Sequence, residues 1–420
     1  MKILFLSPYF FPESVASSHL IHNIREELIK ENFELVVYAP TPTRGVSPEL
    51  KKKYKSIRYE GQFNGNFKIY RFPLFSEHKN SLQRVFRYFL CHIIHFYKGI
   101  RDKNSDVLFI ASTPPTQGAM GVLVKKVRKI PMVYNLQDIF PDSLVATGLT
   151  HKGSFLWRIG RIIENFTYRN SDKIIVISEG FKKNIMAKGV PESKIEVIYN
   201  WVDENAVVPI SRNKNKLFDE LLLPRDLFYV VYAGNLGYAQ NIEIIVDAAK
   251  KLEDQESIRF VIFGSGGFEN ELKEKAANFK LNNLYFFPLQ PSNKISEVYS
   301  LGNVAIVTCK PGLGYSAMPS KTWSIMSSAT AVIANFDEKT ELQSIIENNE
   351  IGLFTSAGNV NEFVEAIMNM YKNPNKCNEF GAKGREFILN NLTRKIGTSK
   401  YIEVIRSVTN YNQYSENEQK

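Results

Sequence analysis

Residues Val304–Ala334, VAIVTCKPGLGYSAMPSKTWSIMSSATAVIA, decide the reading of this chain. An apolar strand, Val304–Thr308, leads into a loop that holds Gly312 and Gly314. Pro319-Ser320-Lys321 then opens a helix, predicted over Pro319–Ser328, and a second apolar strand, Ala331–Ala334, closes the unit. Proline suits a first helical turn because the N–H it lacks would have no intrahelical partner there. The free N–H groups of that turn, with Lys321, form a seat for phosphate. A lysine at the positive end of a helix is disfavoured unless an anion offsets it, a reason to read Lys321 as a phosphate ligand. Strand, glycine loop and helix start together are how parallel α/β sheets hold nucleotides.

The same alternation runs along the 420 residues. In the first half the expected strands are Lys2–Leu6, Phe33–Tyr38, Phe67–Phe72, Val107–Ala111, Met132–Leu136, Lys173–Ile177 and Lys194–Tyr199. Helices are expected over His19–Glu31, Ser81–Lys103, Gly118–Val127 and Phe155–Asn170. The second half offers strands Tyr229–Ala233, Arg259–Phe263, Leu284–Phe287, Val304–Thr308 and Ala331–Ala334. Its helices are Asn241–Leu252, Gly267–Asn278, Ser292–Leu301, Pro319–Ser328, Glu338–Asn348 and Val360–Lys372. Short apolar strands alternating with helices mean an α/β fold with doubly wound parallel sheets. Two domains are expected, 1–205 and 206–395, with a polar linker over Asp203–Arg225. A C-terminal helix, about 396–415, packs back onto the first domain, and the polar end Asn410–Lys420 frays.

Composition agrees with two cores: 44% of the residues are apolar, and a chain this long exceeds one ordinary core. Cys91, Cys309 and Cys377 are odd in number and widely spaced, which points to a reducing cytoplasm rather than disulfides or a metal. Met1–Phe11 is too short and too soon broken by Pro8 and Pro12 to be a signal segment. The charge is uneven. Residues 1–205 hold 30 Lys+Arg against 19 Asp+Glu, net +11, and the remainder 23 against 24, net −1. The basic excess sits in two aromatic-rich segments, Ser81–Lys103 and Phe155–Arg169, edged by Arg84, Arg87, Lys98, Arg158 and Arg161. Such segments fit an anionic membrane surface, or equally core helices with solvated basic rims. Nucleic acid is a weaker partner, because no recognisable binding module is present.

Ligands in open α/β sheets bind beyond the carboxyl ends of the strands, so two facing sheets would place a site in a cleft between domains. In the first domain those ends carry Ser7–Glu13, then Gln137-Asp138-Ile139-Phe140-Pro141-Asp142, then Ser178-Glu179 and Asn200–Asp203. Asp142 could also simply cap the next helix, and Glu13 could be a solvated turn residue. In the second domain they carry Gly234-Asn235-Leu236-Gly237, Gly264-Ser265-Gly266-Gly267 and Pro288-Leu289-Gln290-Pro291. His92 and His95 lie in the basic-aromatic helix and are not read as catalytic, and no His, Cys or carboxylate cluster has metal-ligand spacing, so no metal is expected.

Taken in order, Tyr9-Phe10-x-Pro12-Glu13, Ile177-Ser178-Glu179, Asn200-x-Val202-Asp203, Ala233-Gly234-Asn235-Leu236, Phe263-Gly264-Ser265-Gly266 and Pro319-Ser320-Lys321-Thr322 resemble the signatures of glycosyltransferase family 4. Those are retaining enzymes of the GT-B fold, two Rossmann-like domains facing a cleft, and the likeness runs from Met1 to about Ile396. Gln137–Ser143 with the Pro-Ser-Lys-Thr run is most similar to the capsule and O-antigen branch, including WbuB-like enzymes that transfer N-acetyl-L-fucosamine. The resemblance implies a nucleotide-sugar donor, UDP-linked, held by the C-terminal domain. Its expected ligands are Gly234, Asn235, Gly237, Gln240, Gly264, Gly266, Leu289, Gln290, Tyr315, Ser316, Pro319, Ser320, Lys321 and Ser324. The N-terminal domain would receive a saccharide on a polyprenyl diphosphate, near Glu13, Ser17, Ser18, His19 and Asp142, at the cytoplasmic face of the inner membrane. Asp138, Gln137 and Lys321 are the implied catalytic residues, in a front-face reaction that needs no cofactor.

The chain departs from the family in the residues around the donor. Two glutamates usual in that loop and helix align with Ser316 and Ser324, and an Arg/Lys pair near the diphosphate aligns with Asn235 and Gln240. A histidine of the N-terminal domain aligns with Gln137. Hydroxyls can bond a sugar but lack the charge-assisted bonds of carboxylates, which are about twice as strong. Two other readings therefore stand beside transfer: a GT-B nucleotide-sugar epimerase, and a non-catalytic nucleotide-sugar-binding partner of another transferase.

Overall fold

The computed structural model describes residues 1–13, 18–76, 81–146, 148–316 and 318–417. The chain divides into two compact units, Met1–Tyr199 with Gly397–Lys420, and Asn200–Ile396.

The strands of the first unit are β1 (Lys2–Leu6), β2 (Glu34–Pro40), β3 (Tyr59–Gln62), β4 (Phe67–Phe72), β5 (Val107–Ala111), β6 (Met132–Leu136), β7 (Lys173–Val176) and β8 (Ile195–Val197). Its helices are α1 (Ser18–Lys30), α2 (Pro48–Tyr54), α3 (Ser81–Arg101), α4 (Gln117–Arg128), α5 (Asp142–Ala146), α6 (Phe155–Asn170) and α7 (Glu179–Ala187). The sheet order is β3-β4-β2-β1-β5-β6-β7-β8, parallel except for the antiparallel edge pair β3–β4. The second unit holds α8 (Leu217–Glu220), β9 (Phe228–Asn235), α9 (Glu243–Lys251), β10 (Ile258–Ser265), α10 (Glu269–Asn278), β11 (Leu284–Phe287), α11 (Ile295–Leu301) and β12 (Val304–Thr308). It continues through α12 (Lys321–Ser327), β13 (Ala331–Phe336), α13 (Glu341–Asn348), β14 (Gly352–Ser356), α14 (Val360–Lys372) and α15 (Pro374–Asn391). Its six strands run β11-β10-β9-β12-β13-β14, all parallel. That is the doubly wound order 3-2-1-4-5-6, and the first unit repeats it with added edge strands.

Parallel strands covered on both faces read as continuous apolar runs. β12 and β13 fit this, with every residue buried. The helix before β13 is shorter than expected, seven residues from Lys321, and Pro319 and Ser320 lie in the turn that precedes it. β3, β14, α2, α5, α7, α8 and α15 had no counterpart in the sequence reading.

Residues 203–225 are not a linker. Val208 and Ile210 donate their N–H to Ser296 Oγ and Ser300 Oγ at 3.0 Å each, and Asn215 donates to Glu297 O at 2.7 Å. Leu217 and Phe218 are buried, so the polar residues of this stretch are spoken for inside the second unit. The boundary likewise moves from 205 to Tyr199/Asn200, because Val202 N donates to Leu392 O at 3.3 Å and Arg385 to Glu204 O at 2.8 Å. The last helix, α16 (Arg394–Asn417), belongs to the first unit from Gly397. Its Tyr401 is fully buried, donates to Asn135 Oδ1 at 3.0 Å and lies against Phe109.

Candidate functional site

In the second unit, β9 and β10 stay paired to their carboxyl ends, where Gly234 sits beside Gly264 and Asn235 beside Ser265. Gly234 has φ +147°, and a Cβ there would lie 2.9 Å from Lys321 Nζ. Only glycine meets both conditions. A Cβ on Gly264 would come within 2.5 Å of Gly234 O, so a bare backbone is what lets these strand ends close together. The strand order reverses between β9 and β12, the switch point at which such sheets bind ligands. Lys310, just past β12, donates its N–H to Ala239 O at 2.9 Å across that point. Its Nζ rests 3.2 Å from the centroid of the Tyr238 ring.

Lys321 is folded inward. Its Nζ donates to Tyr232 Oη at 2.7 Å and lies 3.9 Å from that ring's centroid, and Tyr232 Oη donates to Asn235 O at 2.9 Å. Burial lowers the Lys321 pKa to about 7 and raises that of Tyr232. A half-buried amine at the edge of protonation, beside two glycine strand ends, is suited to an anion that restores its charge.

Gly312 N and Gly314 N donate to the two carboxylate oxygens of Asp337, at 2.8 and 2.7 Å, so those amides already have an acceptor. Asp337 follows β13 directly, a strand-end position the sequence reading passed over. Asn235 Nδ2 donates to Gln240 Oε1 at 3.2 Å, and Gly237 leaves room for both side chains. Gln290 Nε2 donates to Pro288 O at 3.0 Å, while Leu289 and Tyr315 are exposed. Gly266 and Ser320 are exposed, Pro319 and Ser324 half-buried, and Ser316 ends a short turn, Gly314–Ser316.

The residues expected in the first unit separate. Glu13 is buried, not a solvated turn or an acceptor contact: its Oε1 accepts from Thr43 N and Arg44 N at 2.8 and 2.9 Å, and its Oε2 from Phe10 N at 3.3 Å. Burial raises its pKa, partly offset by those amides. It ties the loop after β1 to the loop after β2. Asp142 also has a structural occupation, accepting from Lys188 Nζ at 2.7 Å and Asn184 Nδ2 at 3.2 Å. The same Lys188 reaches Glu164 at 2.8 Å. Ser178 caps α7 by accepting from Phe181 N at 3.1 Å. Gln137 donates to Asn135 Oδ1 at 2.9 Å, the atom that also receives Tyr401. Asp138 remains accessible at the end of β6, and the protein packed around it raises its pKa against bonds from Ser143 and Ile139 N. It borders a water-sized cavity of about 10 Å³ with Ser112, Tyr134 and Glu164. Ser18 and His19 begin α1, and Ser17 lies outside the described residues. His95 is fully buried, with its pKa pushed down to about 3. Among the described residues no three His, Cys, Asp or Glu side chains are grouped as a metal site.

Residues 17–206 match Glycosyltransferase Family 4, and residues 213–387 match Glycosyl transferases group 1. The chain is a two-domain glycosyltransferase.

The transferase is 25% identical to WcaI of Escherichia coli K12, a glycosyl transferase named for colanic acid biosynthesis, over 83% of this chain and 86% of that one. To the glycosyltransferase WbjE of Pseudomonas aeruginosa it is 23% identical, over 67% and 70% of the two chains. Its fold is GT-B. Sucrose-phosphate synthase of Thermosynechococcus elongatus superposes with a TM-score of 0.75 at 14% identity, over 97% of this chain and 98% of the other. HepE of Anabaena, solved in complex with UDP, gives 0.73 at 15% identity, over 97% and 100%.

Proposed function

We propose that this transferase moves a sugar from a UDP-linked nucleotide-sugar to a saccharide carried on a polyprenyl diphosphate, in capsule or O-antigen synthesis, with retention at the anomeric carbon. The observation that carries the donor half is Lys321, an amine with a pKa of about 7 held on Tyr232 beside the strand ends at Gly234 and Gly264. The relative named for colanic acid biosynthesis supports the process, and HepE's complexes with UDP and UDP-glucose support the nucleotide. The likeness of Gln137–Ser143 to WbuB-like enzymes favours an N-acetylated 6-deoxyhexosamine such as N-acetyl-L-fucosamine.

In this reading the bond from the anomeric carbon to the diphosphate oxygen breaks as the acceptor hydroxyl attacks from the same face. The leaving oxygen takes the acceptor's proton. Lys321, Lys310 and the backbone of the Tyr315–Ser320 turn offset the negative charge that develops there, where such help is most effective. Asp138, accessible and less acidic than usual, accepts from a donor or acceptor hydroxyl. Gln137 holds the shape of that strand end through Asn135. No cofactor or metal is proposed, and the work is placed on the cytoplasmic face of the membrane.

The test is to incubate purified protein with radiolabelled UDP-, GDP- and dTDP-sugars, with and without a polyprenyl-diphosphate acceptor. Label in the lipid fraction supports transfer. Interconversion of free donor would instead mean an epimerase, and binding without chemistry a non-catalytic partner.

A further inference from the structure

Helix α3 has a mixed stripe on its buried side and an apolar stripe on the opposite side. Arg87, Cys91, His95 and Gly99 face inward and are buried. Leu82, Phe86, Phe89, Ile93 and Tyr97 fall three or four residues apart on the other side, one continuous stripe, and are 45–80% exposed. Helix α6 is arranged in the same sense. Its buried side holds Gly160, Glu164 and Thr167, while Phe155, Ile159 and Ile162 face out. Helix α4 packs against both and leaves Leu123 and Val127 exposed. A surface helix ordinarily buries its apolar stripe, so three neighbouring helices with outward apolar residues mark an interaction surface.

Charge selects the occupant. The three helices carry ten Lys+Arg and one acid, Glu164, which is buried and paired with Lys188 and Arg161. Arg84, Lys98, Arg101, Lys126 and Arg158 form no ion pair among the described residues. Two copies of this face would bring like charges together, which opposes self-association. An anionic lipid leaflet offsets them and receives the apolar side chains. Arg101 stacks 4.1 Å over Tyr97 and Lys126 5.1 Å over Phe166, so cations sit against the aromatic rings that would lie at headgroup level.

We propose that the outward faces of α3, α4 and α6 form a membrane-docking surface that inserts Phe86, Phe89 and Ile93 into an anionic leaflet. The inference deepens the lipid-linked acceptor reading and rests on it for its purpose, though not for its geometry. Insertion makes the attachment part apolar, so binding falls with salt, as surface charge is screened, but is not abolished.

The full-length protein is tested by flotation with vesicles of phosphatidylglycerol and phosphatidylethanolamine, and with pure phosphatidylcholine. Wild type is expected to float with the anionic vesicles and weakly with phosphatidylcholine. The triple variant Phe86→Ser, Phe89→Ser, Ile93→Ser should lose roughly tenfold or more of the partition coefficient, from the lost apolar burial. Arg84→Gln with Lys126→Gln and Arg158→Gln should weaken only the anionic-vesicle binding. Unaltered thermal unfolding of each variant keeps the comparison valid, and single substitutions replace any variant that unfolds. Turnover with a short-chain, water-soluble acceptor should match wild type in the triple variant. If the transferase reading fails, both proteins are silent in that assay while the flotation difference persists. Equal flotation of wild type and triple variant overturns the proposal. So does a wild-type dimer that the triple variant dissolves while wild type ignores vesicles.

Discussion

Helices α3 and α14 are both amphipathic, and they place their apolar residues differently. In α14, Phe363, Ala366, Ile367 and Met370 all turn into the core of the second unit, with β9 and β13 residues beneath them. In α3 the buried stripe is mixed, Arg87, Cys91 and His95, while Phe86, Phe89, Ile93 and Tyr97 point out. Among the described residues of the second unit the exposed large apolar groups are scattered, Leu222, Leu289 and Tyr315 outside the α-helices and Leu389 on α15. The difference teaches that an apolar stripe reports burial somewhere and does not say against what. In the second unit the burial is internal and serves a rigid sheet whose strand ends hold Lys321. In the first it is left available.

The sharpest way to break this contrast is a matched pair of truncations. Phe363→Ala should cost about 3–5 kcal/mol, since a fully buried ring leaves a cavity. Phe89→Ala, 60% exposed, should stay within about 0.5 kcal/mol. Denaturant unfolding measures both, and equal losses would mean that α3 is covered. Next in size is the donor site: Lys321→Met should lower transfer at least roughly tenfold, the loss of one modest transition-state contact, with unfolding unchanged in midpoint direction or higher. A turnover equal to wild type would remove Lys321 from the diphosphate.

The pH dependence sharpens the same site. Free Lys321 releases its proton near pH 7. A bound diphosphate raises that pKa, so binding above pH 7 takes up a proton and affinity falls as the pH rises further. Titration of UDP at several pH values should show this slope in wild type and lose it in Lys321→Met. A small effect belongs to the tie between α16 and β6. Tyr401→Phe removes the bond to Asn135 and should cost about 1 kcal/mol, the worth of one net hydrogen bond, because Asn135 Oδ1 keeps its bond from Gln137.

Most of both sheets was legible because their central strands are unbroken apolar runs, as in Tyr229–Tyr232 and Ala331–Ala334. The edges were not. β14 (GLFTS) and β3 (YEGQ) are half polar because one side of an edge strand lacks a neighbour. Residues 203–225 looked like a linker because their polar groups find partners some 90 residues away, such as Ser296 and Ser300, and no local pattern announces that. Around Lys321 the strand ends were legible and the contacts were not. Lys321 stood out in sequence, yet its contact with Tyr232 joins residues 89 positions apart. Glu13 was noticed for the same positional reason, and its three amide partners, two of them about 30 residues on, turn it from a ligand into a brace.

The central claim is that the second unit holds the nucleotide-sugar at the ends of β9 and β10 beside Lys321. Hydrogen exchange of the full-length protein with and without UDP-sugar tests it most directly, because protection is read segment by segment. The account predicts slowed exchange in Ala233–Gln240, in Phe263–Phe268 and in the turn leading into α12. Protection confined to Ser7–Glu13 and Gln137–Asp142, with those second-unit segments unchanged, would contradict it.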